Sequence, residues 1–294
     1  MSGASHPHPT GEVPSIMRAL DPEVVDALWR TIEALLPERA DAHPLGCHRP
    51  RVSDRVCFRG ILIRLTTGSS WVDIEAILDH EVSDTTLRAR RNEWIEAGVF
   101  DRLEAEARAA FDRIIGLDLS EVALDGSLHK APYGGEGTGP NPTDRGKCGW
   151  KWSVAVERHG IPIGHAIDGA NRNDVRMLEP TLDSIAAGGL LVDIDTLHLD
   201  RGYDYPIVRT RLAAYGLTDL NIQRRGTKKP GEKQPLTLGL RWIVEATNSW
   251  WSNYGQLRRN TDRKNIHRHA ALSLATTVLI IGKLITWRDR WSPT

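Results

Sequence analysis

Three carboxylates stand out by residue type and setting. Asp125 lies in EVALDGS, residues 121–127, a short apolar strand pattern, and is followed by Gly126. Asp200 lies in DTLHLDRG, residues 195–202, a second such pattern, and is followed by Arg201 and Gly202. Each Asp is expected as the last residue of its strand. In open α/β sheets ligands bind beyond the carboxyl ends of the strands, so two adjacent parallel strands would carry both side chains to one end of the sheet. Paired carboxylates repel unless a proton or a cation compensates. A hard divalent ion with oxygen ligands is the natural compensation. The third acid, Glu245, sits in RWIVEATNSWW, residues 241–251, a bulky apolar segment with helical period. Ile243, Ala246, Trp250 and Leu257 take core spacing there, while Glu245 shares a polar stripe with Arg241, Asn248, Ser249 and Ser252.

Taken alone, Arg241 and Glu245 read as a surface ion pair one helical turn apart, contributing about 0.2–0.5 kcal/mol. Three acids placed consistently in one topology point instead to a metal centre, with Arg241 orienting Glu245 or contacting phosphate. Three carboxylates around two Mg²⁺ ions roughly 3.5–4 Å apart are an apparatus for in-line attack at a phosphodiester. Other catalytic sets are missing from the sequence. There is no G-x-S-x-G elbow, and HEVSD at 80–84 is not the H-E-x-x-H of a zinc hydrolase. His165, His198, His267 and His269 show no tight ligand spacing and read as packing or surface residues.

The elements that must position the acids are legible in outline. In LDPEVVDALWRTIEALLP, Asp21 caps a helix, Pro22 opens it, and Val24, Leu28, Ile32 and Leu35 form an apolar stripe. A second helix is expected over 49–68, closing at Gly68. Two short helices follow over 70–100, joined by a turn near His80–Ser83, with Ser83 capping the second. That second helix carries Arg88, Arg90 and Arg91, a pattern that suits a helix-turn-helix presenting Arg and Thr to a DNA groove. A plain helix pair is an equal reading. Another helix covers 101–116. Trp29, Trp71 and Trp94 are expected in the core rather than stacked on bases.

Around residue 118 the pattern changes to strand (121–127), loop (131–149), strands 150–158 and 161–168 joined at His159–Gly160, helix (174–187), strand (195–202), helix (205–216) and strand (219–224). A basic loop at 225–239 and helices at about 241–257 and 267–287 complete the chain. A hairpin beside parallel strands with crossover helices makes a mixed α/β sheet covered by helices. The expected organisation is a disordered N-terminus (1–19), a helical DNA-binding domain (20–117) and a catalytic domain (118–290).

Composition is that of a globular protein, 40% hydrophobic and 26% charged. Cys47, Cys57 and Cys148 are too few and too scattered for a disulfide framework or a zinc site. The N-terminus lacks a signal-peptide pattern. The most apolar run, 270–282, is shorter than the roughly 20 residues a membrane helix needs and reads as a buried helix. A cytoplasmic, nucleoid-associated protein with no membrane contact is expected. The zero net charge hides an asymmetry: residues 221–294 hold 14 basic and 4 acidic groups, the two earlier portions being acidic. Local fields rather than net charge decide polyanion binding, so Arg224, Arg225, Lys228 and Lys229 of the basic loop are candidate DNA contacts.

The motifs LDGS, TGPNPTDRGKCGWKWSVAV, GANRND, LDRGYD, IQRRG and RWIVEATNSWW together resemble bacterial insertion-sequence transposases with a DDE, RNase H-like core, nearest the insertion-sequence-five group, over about residues 20–285. The resemblance implies an RNase H-like mixed five-stranded sheet behind a small all-helical domain. It implies Asp125, Asp200 and Glu245 as catalytic, metal-binding residues holding two Mg²⁺, with Mn²⁺ able to substitute. It also implies binding of terminal inverted repeats in double-stranded DNA, nicking at the ends, joining of the 3′-OH to target DNA, and a homodimer or larger assembly. Arg145 and Lys147, with Arg201 and Arg241, fit DNA-backbone contact beside the site. Related enzymes tend to carry a basic residue about two turns after the Glu; Ser252 and Asn253 stand there, and Arg258 and Arg259 follow as substitutes. Two other functions share these features: a non-catalytic DNA-binding regulator and an RNase H-like nuclease acting on hybrids. The intact acids favour an enzyme over the regulator, and the helical N-terminal part with the basic tail favours duplex DNA over hybrids.

Overall fold

The computed structural model describes residues 19–38, 51–222 and 240–291. The expectations for residues 1–18 and for the basic loop, including Arg224, Arg225, Lys228 and Lys229, lie outside the described residues.

The N-terminal part is helical: α1 (Pro22–Glu33), α2 (Asp54–Thr67), α3 (Trp71–Ile77), α4 (Asp84–Glu96) and α5 (Val99–Ile114). Local signals account for their ends. Asp21 accepts a bond from Glu23 N at the start of α1, and Ser70 and Asp73 close a reciprocal capping box on α3. α2 stops at Gly68, whose left-handed backbone (φ 71°) lies against Gly255; a Cβ at Gly68 would sit 2.7 Å from that backbone. Between α3 and α4, Asp79 and His80 take positive φ, which makes the tight turn expected there.

The second part is one mixed sheet. Its strands are β1 (Glu121–Lys130), β2 (Gly139–Pro140), β3 (Cys148–Val156), β4 (Pro162–Gly169), β5 (Thr196–Leu199) and β6 (Asp219–Ile222). β1 runs antiparallel to β3 and parallel to β5, β5 runs parallel to β6, and β4 pairs with β3. The order β4-β3-β1-β5-β6 is that of an RNase H-like sheet, and the two-residue β2 is an addition from the 131–149 loop. β1 is longer than expected. It does not end at Asp125 but continues to Lys130, because its antiparallel partner β3 extends past the point where β5 stops.

Alternation along the strands separates two faces. Val122, Leu124, Ala155, Leu197 and Leu199 face α6 (Val175–Ala187) and α7 (Pro206–Ala214). Ala123, Trp150, Trp152, Val154 and Val156 face α8 (Arg241–Ser252) and α10 (Asn265–Trp291), and this core runs on without a break into Leu28, Leu62, Leu65 and Trp94 of the N-terminal helices. α9 (Gly255–Arg258) links α8 to α10 and packs on α2. α10, 27 residues, is longer than its apolar run suggested and meets the length and apolarity of a membrane span, but 67% of that apolar window is buried inside the protein. Its packing on α5, α1 and α4 accounts for its apolar character.

A buried polar hub joins the two halves. Asp262 Oδ1 accepts from Arg91 Nη1 at 2.9 Å and Arg64 Nη2 at 3.4 Å, and its Oδ2 accepts from Gln256 Nε2 at 2.7 Å. Both guanidinium groups lie over the Trp71 ring, at 4.7 and 5.1 Å. Burial opposes ionisation of Asp262, yet Arg64 and Arg91 outweigh it and hold the carboxyl below its usual range.

Two tests follow from this packing. Removing one member of a buried ion cluster leaves the other charges uncompensated, so Asp262→Ala is expected to destabilise the protein by about 3–5 kcal/mol; a urea midpoint near that of the parent would refute the hub. His165 and His269 sit 5.7 Å apart, ring to ring, between β4 and α10, close to Asp101, Glu104 and Arg108 of α5. Burial pushes each down to about 4. The unfolded chain binds these protons from about pH 6.5 downward, so stability is expected to fall as pH drops from there toward 4. A His165→Leu/His269→Leu variant should flatten that slope in urea titrations; an unchanged slope would count against it.

Candidate active site

The parallel pairing of β1 and β5 ends at Leu124 opposite Leu199. One residue further on, Asp125 and Asp200 are the next positions in the same register. They share a face: Asp125 alternates with Ala123, and Asp200 with His198, and Ala123 and His198 are themselves paired. That face is the one α8 covers, packed on β1 and β3. Ile243, Val244 and Trp251 bury one side of α8, and Trp152 Nε1 donates to Asn248 Oδ1 at 2.7 Å, which fixes the helix's rotation. Glu245 is thereby left outside the packed stripe, 55% exposed in its side chain.

Backbone amides orient two of the acids. Asp125 Oδ1 accepts from Gly126 N at 2.8 Å. Asp200 caps the short 3₁₀ turn Arg201–Tyr203, accepting from Gly202 N at 3.3 Å. Arg241 connects the rest: its Nη2 stands 3.8 Å from Asp200 Oδ2 and 3.4 Å from Glu245 Oε1. One guanidinium nitrogen therefore brackets the carboxylates of β5 and α8. Burial pushes Asp125 up to about 6, and the neighbouring Asp200 and Asp174 add to the rise, against the opposing pull of Gly126 N–H and Arg241.

The donor chemistry, carboxylate oxygens with a raised carboxyl among them, fits a hard divalent cation. Among the described residues no three acidic, histidine or cysteine side chains enclose an ion-sized space. The Arg241 guanidinium supplies cationic charge between Asp200 and Glu245.

Family models match the chain in two blocks. Residues 24–104 match one described as "Putative transposase of IS4/5 family". Residues 116–281, more than half of the chain, match one described as "Transposase DDE domain". The chain belongs to the DDE transposase family. DDE transposase domains use divalent metal ions, in keeping with the acid cluster. Two Burkholderia cepacia proteins are similar to this family member. The "Putative transposase for insertion sequence element IS402" is 34% identical over 142 residues, which cover 46% of this chain and 64% of the relative, less than two thirds of its length. The "Insertion element IS402 uncharacterized 16.2 kDa protein" is 35% identical over 121 residues, covering 41% of this chain and 82% of the relative. Among solved structures, the "Mos1 transposase paired-end complex with left transposon end" aligns over 84% of this chain and 82% of that one, at 10% identity and a TM-score of 0.27. That likeness is too slight to carry an argument.

The predicted DNA contacts of this DDE transposase chain divide by exposure. Arg145, Lys147, Arg201, Arg258 and Arg259 are exposed, and Arg145 holds a positive φ of 53° at the tip of its loop. Lys147 lies 3.8 Å from Asp144. Arg88 is exposed on α4 and paired with Asp84 at 2.8 Å. Arg90 and Arg91 do not face a groove. Both are buried, Arg90 paired with Asp54 and bonded to Val52 O, Arg91 paired with Asp262. The physical reason is helical phase: Leu87, Arg90, Arg91 and Trp94 form one i, i+3, i+4, i+7 stripe, and the whole stripe turns inward. The spacing carried that signal, but charge alone suggested an outward face. The exposed side of α4 presents Thr85, Arg88, Ala89 and Glu96 instead. Sequence reasoning also passed over Lys151, an ammonium buried within the apolar strand WKWSVAV.

Because burial and the acidic neighbours Asp200 and Asp174 push the Asp125 carboxyl up to about 6, its neutral isostere should fold more stably. Asp125→Asn is expected to melt at a higher temperature than the parent in chelator at neutral pH, with divalent metal then stabilising the parent alone. Equal melting temperatures in chelator would show that the cluster exerts no such strain.

Proposed function

We propose that this chain is a Mg²⁺-dependent DNA transposase whose catalytic acids are Asp125, Asp200 and Glu245. The observation that carries the reading is the β1–β5 register, which sets Asp125 and Asp200 side by side, together with the Arg241 bridge that brings Glu245 to the same end of the sheet. The proposed reaction is hydrolytic cleavage at the terminal inverted repeats of a mobile element, followed by attack of the freed 3′-OH on target DNA. Two Mg²⁺ ions, or Mn²⁺ in their place, would supply Lewis-acid activation of the attacking hydroxyl and stabilisation of the leaving oxygen.

The chain's own residues have distinct parts. Asp125 and Asp200 are oriented by the amides of Gly126 and Gly202, so their oxygens are fixed before any ion or substrate arrives. Arg241 is poised to exchange its carboxylate partners for a DNA phosphate, since guanidinium groups favour phosphate oxygens. Arg145, Lys147, Arg201, Arg258 and Arg259 offer exposed cations for backbone contact, which positions DNA without reading its sequence. The exposed face of α4, with Thr85 and Arg88, is the proposed reader of the repeats. A duplex bearing two ends calls for at least a homodimer, acting in the cytoplasm at the nucleoid.

The test is cleavage of a duplex carrying the element's own terminal repeats. Asp125→Asn, Asp200→Asn and Glu245→Gln are each expected to lower cleavage in Mg²⁺ by about a hundredfold or more while binding the duplex as the parent does. Parent-level cleavage by any of the three would remove that residue from the catalytic set.

A further inference from the structure

Asp174, the last residue of the GANRND motif, immediately precedes α6 but does not cap it. Its backbone is already helical (φ −57°, ψ −35°) and its side chain caps nothing. Asn173 takes that role, its Oδ1 accepting from Val175 N at 3.0 Å. The Asp174 carboxylate turns instead toward the sheet. Oδ1 accepts from Lys151 Nζ at 2.8 Å, and the same ammonium donates to Arg172 O at 2.8 Å. Lys151 is only 5% exposed in its side chain, whereas Asp174 is 50% exposed. The pair is therefore open to solvent on the carboxylate side and closed on the ammonium side.

The place where this carboxylate rests matters. A Cβ on Gly126 would stand 2.8 Å from Asp174 Oδ1, so the carboxylate occupies the space a side chain at position 126 would fill. The N–H of that same glycine holds Asp125 Oδ1 at 2.8 Å. Asp174 thus lies against one side of the backbone whose amide orients Asp125. A second observation marks the same spot. Tyr203 is buried, 2% exposed, and its hydroxyl has no hydrogen-bond partner of normal geometry among the described residues. Burial raises this phenol well above its usual range, and Asp174, Asp125 and Asp200 all raise it further, with only Ser153 opposing. Tyr203 therefore lies buried within the field of carboxylates from three elements.

We propose that Asp174 is a fourth carboxylate of the active site, a positioning residue that supports the Asp125–Gly126 peptide and adds to the field holding the divalent ion, with Lys151 as its anchor. This rests on the reading of Asp125 as a metal-binding acid. Gly126 follows from it, since any larger residue would displace the carboxylate. Lys151 follows as well: a buried ammonium requires an acid partner, and the partner it has lies against Gly126. The polar patch Lys151–Ser153–Thr181, with Ser153 Oγ accepting from Thr181 Oγ1 at 2.9 Å, continues the same lining under α6.

The experiment is a titration of the full chain with Mn²⁺, read by the electron paramagnetic resonance of the free ion, without DNA. Asp174→Asn is expected to bind Mn²⁺ about tenfold more weakly than the parent. Asp183→Asn, an acid on α6 bonded to Tyr215, should bind as the parent does. The paired change Lys151→Met/Asp174→Leu removes both charges together, so it leaves no unpaired charge buried and should fold while showing the same weakened binding. A solely structural ion pair would lower the melting temperature and leave the Mn²⁺ affinity of the folded protein unchanged. Parent affinity in Asp174→Asn, or in the paired variant, with lost affinity in Asp125→Asn overturns this proposal alone. Parent affinity in all of them, Asp125→Asn included, overturns it together with the assignment of Asp125.

Discussion

The parallel register between β1 and β5 is the constraint on which the rest of the site depends. Ala123 faces His198 and Leu124 faces Leu199, and the pairing stops one step before two aspartates would have to pair. Because side chains alternate across a strand, a shift of one residue would turn one Asp toward α6 while the other still faced α8. The apolar residues of the two strands prevent such a shift. Val122, Leu124, Leu197 and Leu199 are all fully packed beneath α6 and α7, so a slip would expose them. The site therefore inherits its geometry from a core that has no chemical role.

Clustered acids are costly, and the protein distributes the compensation over several groups. Two backbone amides bind Asp125 and Asp200, Arg241 stands between Asp200 and Glu245, and Lys151 meets Asp174 from beneath the sheet. Asp125 is still pushed up to about 6 by burial and its acidic neighbours. A cluster so ordered would gain from the divalent cation of the proposed function, as a preorganised site does.

The helical N-terminal part is not an appendage. Its core is continuous with the α8 and α10 side of the sheet, and the Asp262 hub draws Arg64 of α2 and Arg91 of α4 onto the segment that precedes α10. Charge that looked available for DNA is spent in this junction. Arg268, fully buried, donates to the carbonyls of Gly134, Glu136 and Asp262, and Lys283 binds His159 O. The strong positive balance of the C-terminal quarter thus overstates what the folded surface of α10 presents. The orientation of α4 is set by its inward Arg90 and Arg91, so these buried arginines decide which face of that helix is exposed.

The sequence by itself determined the element order, the alternation that separates the two sheet faces, and the caps at Asp21 and Ser83. These depend on local periodicity and on residues a few positions apart. It also identified the family, since LDGS, LDRGYD and RWIVEATNSWW occur together in one chain. Only the tertiary structure decided that β1 runs on past Asp125, because strand length depends on a partner, β3, that lies beyond an intervening loop in the sequence. Only it turned Arg90 and Arg91 inward, because a buried arginine is stable solely where a distant acid such as Asp54 or Asp262 meets it. It also made Asp174, at the start of a helix, the partner of Lys151 beside Gly126. Such long-range pairings leave no local period in a sequence; they exist once the sheet has brought separate strands and helices to one end.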